Sequence, residues 1–457
     1  VDQTALIDGS GMGQVSGDVI MQRYLPKGFG YKYLSSPMQN ATVAQLGDDM
    51  DLTASFPTFY NYDESKASTG WNNYIIPTNP LLPLVGYCAN FGTNPAPAMA
   101  DITGLVNNGS IGPLLLHNHN MQFTRGFNLV GNPYPSPIDW SVASGWSKIN
   151  IDNGIYYLNA SDTNQYTGTY SSHINGISSD GIASNIIPSM QGFFVHVSDG
   201  GYPVNGSLQV NNQARVNNLS TAFHKNTMAE TRPLVRLSAI FQGQKSKEDF
   251  LAIYFDPNAT ESFEMELDAL KIFNTDLDVP NLFAISEDDR RLSIGAYPVP
   301  YGNLEIPLGI KTEKSGNISL SLDFYENMPV GYSIFLKDKA TGAVQNLNRV
   351  PVYSLPAGDG LMQGRLSLIF SNTDISQDSF GSNSFDVFVN DGFLYIKIAL
   401  KESIANMRLT NMAGQVMLQQ SIYGEGAHRL SVAPSPGIYL VTVFTDQGIL
   451  SKKIYLQ

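Results

Sequence analysis

The chain of 457 residues has one cysteine, Cys88, so no intramolecular disulfide can form and no cysteine-based metal site is possible. It lacks any apolar run of 18 residues, which removes a membrane-spanning helix from consideration. Charge is also scarce: charged residues make up 15% of the chain, against the roughly 25% usual in soluble domains. Lys and Arg number 27 against 40 Asp and Glu, and the formal net charge of −13 repels phosphate backbones and anionic headgroups. No cluster of basic residues interleaved with aromatics offsets that charge, so the composition argues against nucleic-acid binding. Sustained helical periodicity is absent, as are G-x-S-x-G, HExxH and a phosphate-cradling glycine loop. The chain opens at Val1 with neither an initiator methionine nor a basic segment leading into an apolar stretch, and we expect a processed terminus or a fragment boundary there.

What fills the space is Gly (41), Tyr (23), Phe (23) and many Ser, Thr and Asn, a balance suited to short strands and frequent turns. Alternating or β-branched runs recur, as in Gln191–Val197, Phe250–Phe255 and Tyr332–Leu336, with Asn-Gly, Asp-Gly and Pro-Gly between them. Short helical turns are expected only in places such as Ser136–Val142. The expected fold is all-β: tandem β-sandwich domains of jelly-roll or immunoglobulin-like type, ending in a smaller seven-strand sandwich.

An internal correspondence organises the first half. Gly30–Pro37 aligns with Gly126–Pro133 at an offset of 96 (126 − 30), and Phe59–Tyr62 falls opposite Ile155–Leu158 at the same offset. Pro83–Tyr87 then pairs with Pro188–Phe193, and Thr103-Gly104-Leu105 with Asn205–Leu208. We therefore expect an N-terminal β extension over 1–29 and a duplicated sandwich over 30–215, with copies at about 30–110 and 126–210. A polar stretch at 211–231 reads as a linker, followed by a sandwich of eight-strand scale over 232–372. After the Ser/Asn/Asp/Gly-rich stretch 371–384 comes a compact module over 385–457.

That module carries Leu394–Ile398, then Met407–Val416 with Asn411-Met412-Ala413-Gly414, then Pro436-Gly437-Ile438-Tyr439 and the basic strand Ser451–Leu456. In order and spacing it resembles the type A C-terminal sorting domain of type IX secretion cargo from Bacteroidetes-type bacteria. The Pro-Asn-Pro usual before the first strand is replaced by Val389-Asn390-Asp391-Gly392, which bears on the hairpin there. The resemblance implies export across the outer membrane, with the type IX outer-membrane translocon and its shuttle and sortase components as partners. It also implies a recognition role for Gly414, Gly437, Tyr439, Lys452 and Lys453. The glycines would set turns, Tyr439 would fill the core, and the lysines would meet acidic translocon surfaces. Upstream, Val19–Pro26, Gly126–Trp140 and Gln191–Phe194 resemble segments of large adhesin-like surface proteins that precede such domains.

Other chemistry is sparser. Trp71, Trp140 and Trp146 sit in aromatic-rich segments and are candidates for stacking on sugar rings, with a core role as the alternative. Asp48, Asp49 and Asp51 form an acidic loop of hard oxygen ligands suited to Ca²⁺, although it lacks the D-x-D-x-D-G register. His117 and His119 stand two residues apart, on one face of any strand, and would need a third ligand to hold zinc. No cofactor is otherwise expected. The expected function is that of a non-enzymatic, structural or adhesive protein at the cell surface or outside the cell, with a surface glycan or protein as ligand. The alternative is a carbohydrate-active enzyme or glycan-binding accessory protein secreted by the same route.

Overall fold

The computed structural model describes residue 7, residues 14–216, 230–300 and 303–372, and, beyond these, 385–390, 393–398, 404–411, 415–423, 426–431, 436–445 and 448–456. Strands account for the regular structure, and no α-helix forms among the described residues; three single 3₁₀ turns lie at Val43–Leu46, Ala143–Gly145 and Asn212–Ala214. The turn expected over Ser136–Val142 is displaced, because Ile138–Asp139 pairs with Ile186–Ile187 as a short ladder and the 3₁₀ turn follows it. The chain divides into two compact units, Val1–Ile375 and Ser376–Gln457.

Within the first unit, Tyr31–Ser35, Gly86–Asn90, Phe59–Tyr62 and Trp71–Asn73 lie side by side in that order. Phe127–Gly131, Gly192–Val197, Ile151–Ala160 and Gly168–Ile174 lie in a second sheet in the same order of first, fourth, second and third strand, and Ile177–Ser178 adds a fifth at its edge. Each has a smaller companion ladder: Val19–Leu25 with Ala98–Gly104, and Ile111–Asn118 with Val204–Val210 and Trp146–Ile149. Val19–Leu25 thus pairs along its whole length with a strand of the first set, rather than standing apart as an extension.

The two larger sheets meet through matched contacts. Ser35 N donates to Met190 O at 3.2 Å and Gly131 N to Leu84 O at 3.0 Å, while Leu34 bridges Gln191 and Val85 bridges Val130. Leu84 and Met190 are both buried and both left-handed, with φ of 66° and 60°. That conformation costs a residue with a Cβ roughly 1–2 kcal/mol. It turns each carbonyl toward the opposing sheet, where it accepts the N–H that would otherwise lack a partner.

Leu234–Ser371 supplies an eleven-stranded sheet, three more strands than expected. It closes over its own core: Phe255 and Phe370 meet edge to face at 4.9 Å although three strands separate theirs along the sheet. A further cluster joins Tyr33, Tyr156 and Phe194 from the first half to Leu234, Tyr254 and Ile294 of this sheet. That shared core explains why the expected boundary at 211–231 does not divide the structure: burying one continuous apolar surface stabilises both parts together.

The second unit is a seven-strand sandwich. Phe385–Asn390, Phe393–Ile398 and Gly426–Ser431 form one sheet. Val416–Tyr423, Ile404–Asn411, Gly437–Thr445 and Gly448–Leu456 form the other, in that order. Val387, Leu394, Ile396, Met407, Leu409, Val441 and Val443 fill the space between them.

Candidate functional site

In the terminal unit, period-two alternation sorts the candidate recognition residues by face. Tyr439 is buried with Val441, Val443, Ile454 and Leu456, and Gly437 opens its strand opposite Leu456. Lys452 and Lys453 are both exposed but stand on opposite faces of the strand: Lys452 pairs with inward Val441, Lys453 with outward Leu440. They do not present one joint basic surface. Gly414 lies outside the described residues.

The tryptophans are placed differently from what sugar stacking needs. Trp140 and Trp146 are buried, their rings 4.7 Å apart, with both indole N–H groups donating to backbone oxygens at 2.8 Å and Lys148 Nζ 3.7 Å above the Trp140 ring. A ring closed in on all sides has no face for a ligand, so these two are core residues. Trp71 is half-buried among Tyr33, Tyr60, Tyr62 and Phe194, with centroids between 4.9 and 6.4 Å away. An exposed aromatic pair lies beside it. Phe56 (55% exposed) and Tyr166 (48%) meet edge to face at 5.3 Å, and Tyr31 stands 6.2 Å from Tyr166. The exposed Lys27–Asp162 ion pair joins the chain segments that frame this patch. The sequence signal was the aromatic density of 56–62 and 156–170; nothing in it told exposed rings from buried ones.

The acidic loop has a structural task. In the second set, the free edge of Val204–Val210 is covered by Trp146–Ile149; in the first set no strand among the described residues covers Ala98–Gly104 on that side. Side chains do so instead: Asp49 Oδ2 accepts from Asp101 N at 3.1 Å and Gln45 Nε2 donates to Thr103 O at 2.6 Å. Burial pushes the Asp49 carboxyl up to about 6. Asp51 turns back on Thr53 N and Oγ1, and Asp48 is exposed. In this loop Asp49 and Gln45 thus act as an edge cap. His117 Nδ1 contacts Asn205 Oδ1 at 2.9 Å, and His119 Nδ1 contacts the buried Glu64 carboxylate at 2.6 Å. No group of three metal-ligating side chains occurs among the described residues.

A family model for a domain of unknown function, DUF8693, matches residues 1–370, the greater part of the chain. The chain belongs to the DUF8693 family. Residues 390–457 match the secretion system C-terminal sorting domain. The protein is therefore type IX secretion cargo, and its tail implies export across the outer membrane. No helix among the described residues is long and apolar enough to cross a membrane. No curated protein matches the chain. Among solved structures, a β-glucuronidase from Ruminococcus gnavus is 13% identical, covering 32% of this chain and 35% of that one, with a TM-score of 0.12. The R. gnavus β-glucuronidase in complex with D-glucaro-d-lactam is 11% identical, covering 97% of this chain and 47% of that one, with a TM-score of 0.13. The chain thus spans less than half of that enzyme's length, and at such scores the likeness carries no argument.

The DUF8693 region contains a buried histidine that links its stability to pH. Burial pushes the His173 imidazole down to about 4, against the opposing pull of Asp139 and Asp180. The unfolded chain takes up this proton near pH 6.5, so stability is complete above that pH and is lost as pH falls from about 6.5 to 4. Asp268, pushed up to about 7 by burial, acts with the opposite sign, since it destabilises the fold as pH rises from about 4 to 7. His173→Gln leaves Asp268 in place and should lower the stability at pH 8 relative to that at pH 4.5 by about 2–3 kcal/mol. Urea midpoints at the two pH values measure this, and an unchanged difference would show that His173 is not the titrating group.

Proposed function

We propose that this protein is a structural or adhesive component of the cell surface, delivered there by its terminal domain, that holds a neutral glycan on the aromatic patch of Phe56 and Tyr166. The reading is carried by the pairing of a sorting domain with a large all-β region on which exposed Phe56 and Tyr166 meet edge to face at 5.3 Å. The net charge of −13 disfavours sulfated or uronate-rich polymers, which leaves neutral hexose chains as the matching class.

The rival reading, a carbohydrate-active enzyme, needs two carboxylates facing each other across a cleft. Four buried acids are paired with cations or histidines, Glu64 with His119, Asp152 with His196 at 2.6 Å, Asp249 with Lys271, and Asp338 with Arg365 at 2.7 Å, and buried Asp268 accepts from the Glu264 and Ala296 backbone N–H groups. That supports a holding role over a hydrolytic one.

Affinity electrophoresis of the full chain through gels containing neutral glucans, mannans or galactans tests the proposal. One of them should retard the wild type, and Phe56→Ala/Tyr166→Ala should weaken retardation by roughly tenfold. Retardation that survives the double substitution would remove the patch from the proposal, and release of reducing ends from the same polymer would favour the enzyme.

A further inference from the structure

A two-sheet sandwich buries its apolar residues between the sheets and turns polar ones outward. The four-strand sheet of the terminal domain departs from that rule on its outer side. Residues directly opposite in an antiparallel ladder share a face. The pairs Val416 with Thr410, Thr410 with Leu440 and Leu440 with Lys453 therefore form one row crossing all four strands. Ile438 and Tyr455 form the neighbouring row. Val416, Ile438, Leu440 and Tyr455 are each between 39% and 59% exposed, while the residues alternating with them on the two last strands, Tyr439, Val441, Ile454 and Leu456, are buried. The outer face therefore carries a cluster of exposed apolar side chains, Ile438, Leu440 and Tyr455, in addition to a filled core, which marks an interaction surface and not a folding need.

Charge on that face has one sign. Lys453 stands beside Leu440, and Arg408, opposite Thr442, lies on the same side. The Arg408 guanidinium packs 5.2 Å from the Phe444 ring, and its Nε is buried with no hydrogen-bond partner among the described residues. A buried guanidinium N–H without an acceptor is costly and is relieved by an incoming carboxylate. No carboxylate occupies a described position of this face, in a chain whose overall charge is strongly negative. The surface thus complements a partner that is apolar at its centre and acidic at its rim.

We propose that this outer face, centred on Arg408, Leu440, Lys453 and Tyr455, is where the type IX machinery grips the folded domain. The proposal rests on the assignment of residues 390–457 as a sorting domain and adds to it a face, a partner chemistry and a division of labour between the two lysines. Lys453 contributes to docking. Lys452, on the opposite face, does not.

The test uses the full chain, expressed in a type IX-competent host and in the same host lacking the translocon, with the exported fraction measured and protease resistance of the retained pool reporting folding. Wild-type export should depend on the translocon. Lys453→Glu and Leu440→Ser/Tyr455→Ser should each cut the exported fraction roughly fivefold or more while the retained domain stays protease-resistant. Lys453→Arg should export as wild type, and Lys452→Glu should stay within about twofold of it. Lys453 is exposed on the outermost strand, so its charge reversal leaves folding intact and decides the matter even if the double serine variant unfolds. Unchanged export of Lys453→Glu, or equal damage from Lys452→Glu, would overturn the proposed face while leaving the sorting role in place. Wild-type export that does not need the translocon would overturn the sorting role itself.

Discussion

Gly131→Ala is expected to lower the thermal midpoint of the Val1–Ile375 unit by about 3–6 °C, the consequence of roughly 3 kcal/mol of overpacking in a unit of this size. A Cβ at Gly131 would stand 2.2 Å from Ser35 Cβ and 2.8 Å from Ser35 Oγ. Gly131 and Ser35 hold the same place in their two sheets, so a residue meets its own counterpart there and only one of the two can carry a side chain. Nothing nearby can yield, because Ser35 N is bonded to Met190 O and its hydroxyl donates to Asn132 O at 2.8 Å. Ser35→Gly in the Gly131→Ala background removes the clash and should recover most of the loss, short of about 1 kcal/mol for the missing hydroxyl. Gly201→Ala, whose added carbon meets nothing within 4 Å, serves as the control and should leave the midpoint unchanged. A midpoint for Gly131→Ala equal to that of the control would show that the two sheets do not pack as closely as described.

Lys271→Met should cost about 3–5 kcal/mol. Lys271 Nζ lies 2.5 and 2.6 Å from the two Asp249 oxygens, both side chains are almost wholly buried, and Asp249 also accepts from Leu282 N at 2.6 Å. Substituting the lysine leaves a carboxylate in the interior with one backbone donor to hold it. The desolvation cost already met by the pair then stands without its Coulombic return. Asp249→Asn/Lys271→Met keeps an acceptor for Leu282 N, removes the charge, and should be more stable than Lys271→Met alone. Urea denaturation of the three variants gives the comparison. A single variant that loses less than about 1 kcal/mol would mean that water reaches the site and screens the charge.

The all-β class and the terminal domain were legible because both rest on short-range patterns. Alternation over five to nine residues sets which side of a strand is apolar, and turn residues set where it ends. The correspondence between Gly30–Pro37 and Gly126–Pro133 was legible for the same reason, and its strands occupy the same rank in their sheets. Strand partners were not legible, since nothing local marks that Val19–Leu25 pairs with Ala98–Gly104 or Ile111–Asn118 with Val204–Val210. Trp140, Trp146 and Phe56 show the other limit. Aromatic density is the same whether a ring is enclosed or exposed, and only the packing of distant segments such as Phe193 against Trp140 tells them apart.

By itself the sequence determined the strand content, the absence of disulfide and cysteine-metal chemistry, the adverse charge toward nucleic acid and the sorting tail, since each depends on composition or on neighbours along the chain. Tertiary structure alone decided three other matters. Asp49 caps a strand edge 52 residues away, Ser35 excludes a side chain at Gly131, and consecutive lysines at 452 and 453 face opposite ways on a sheet whose outer side is apolar. These are set by which strands lie side by side and in what register, and pairings across that many residues leave no trace in local pattern because either face of a strand reads alike until its neighbour is known.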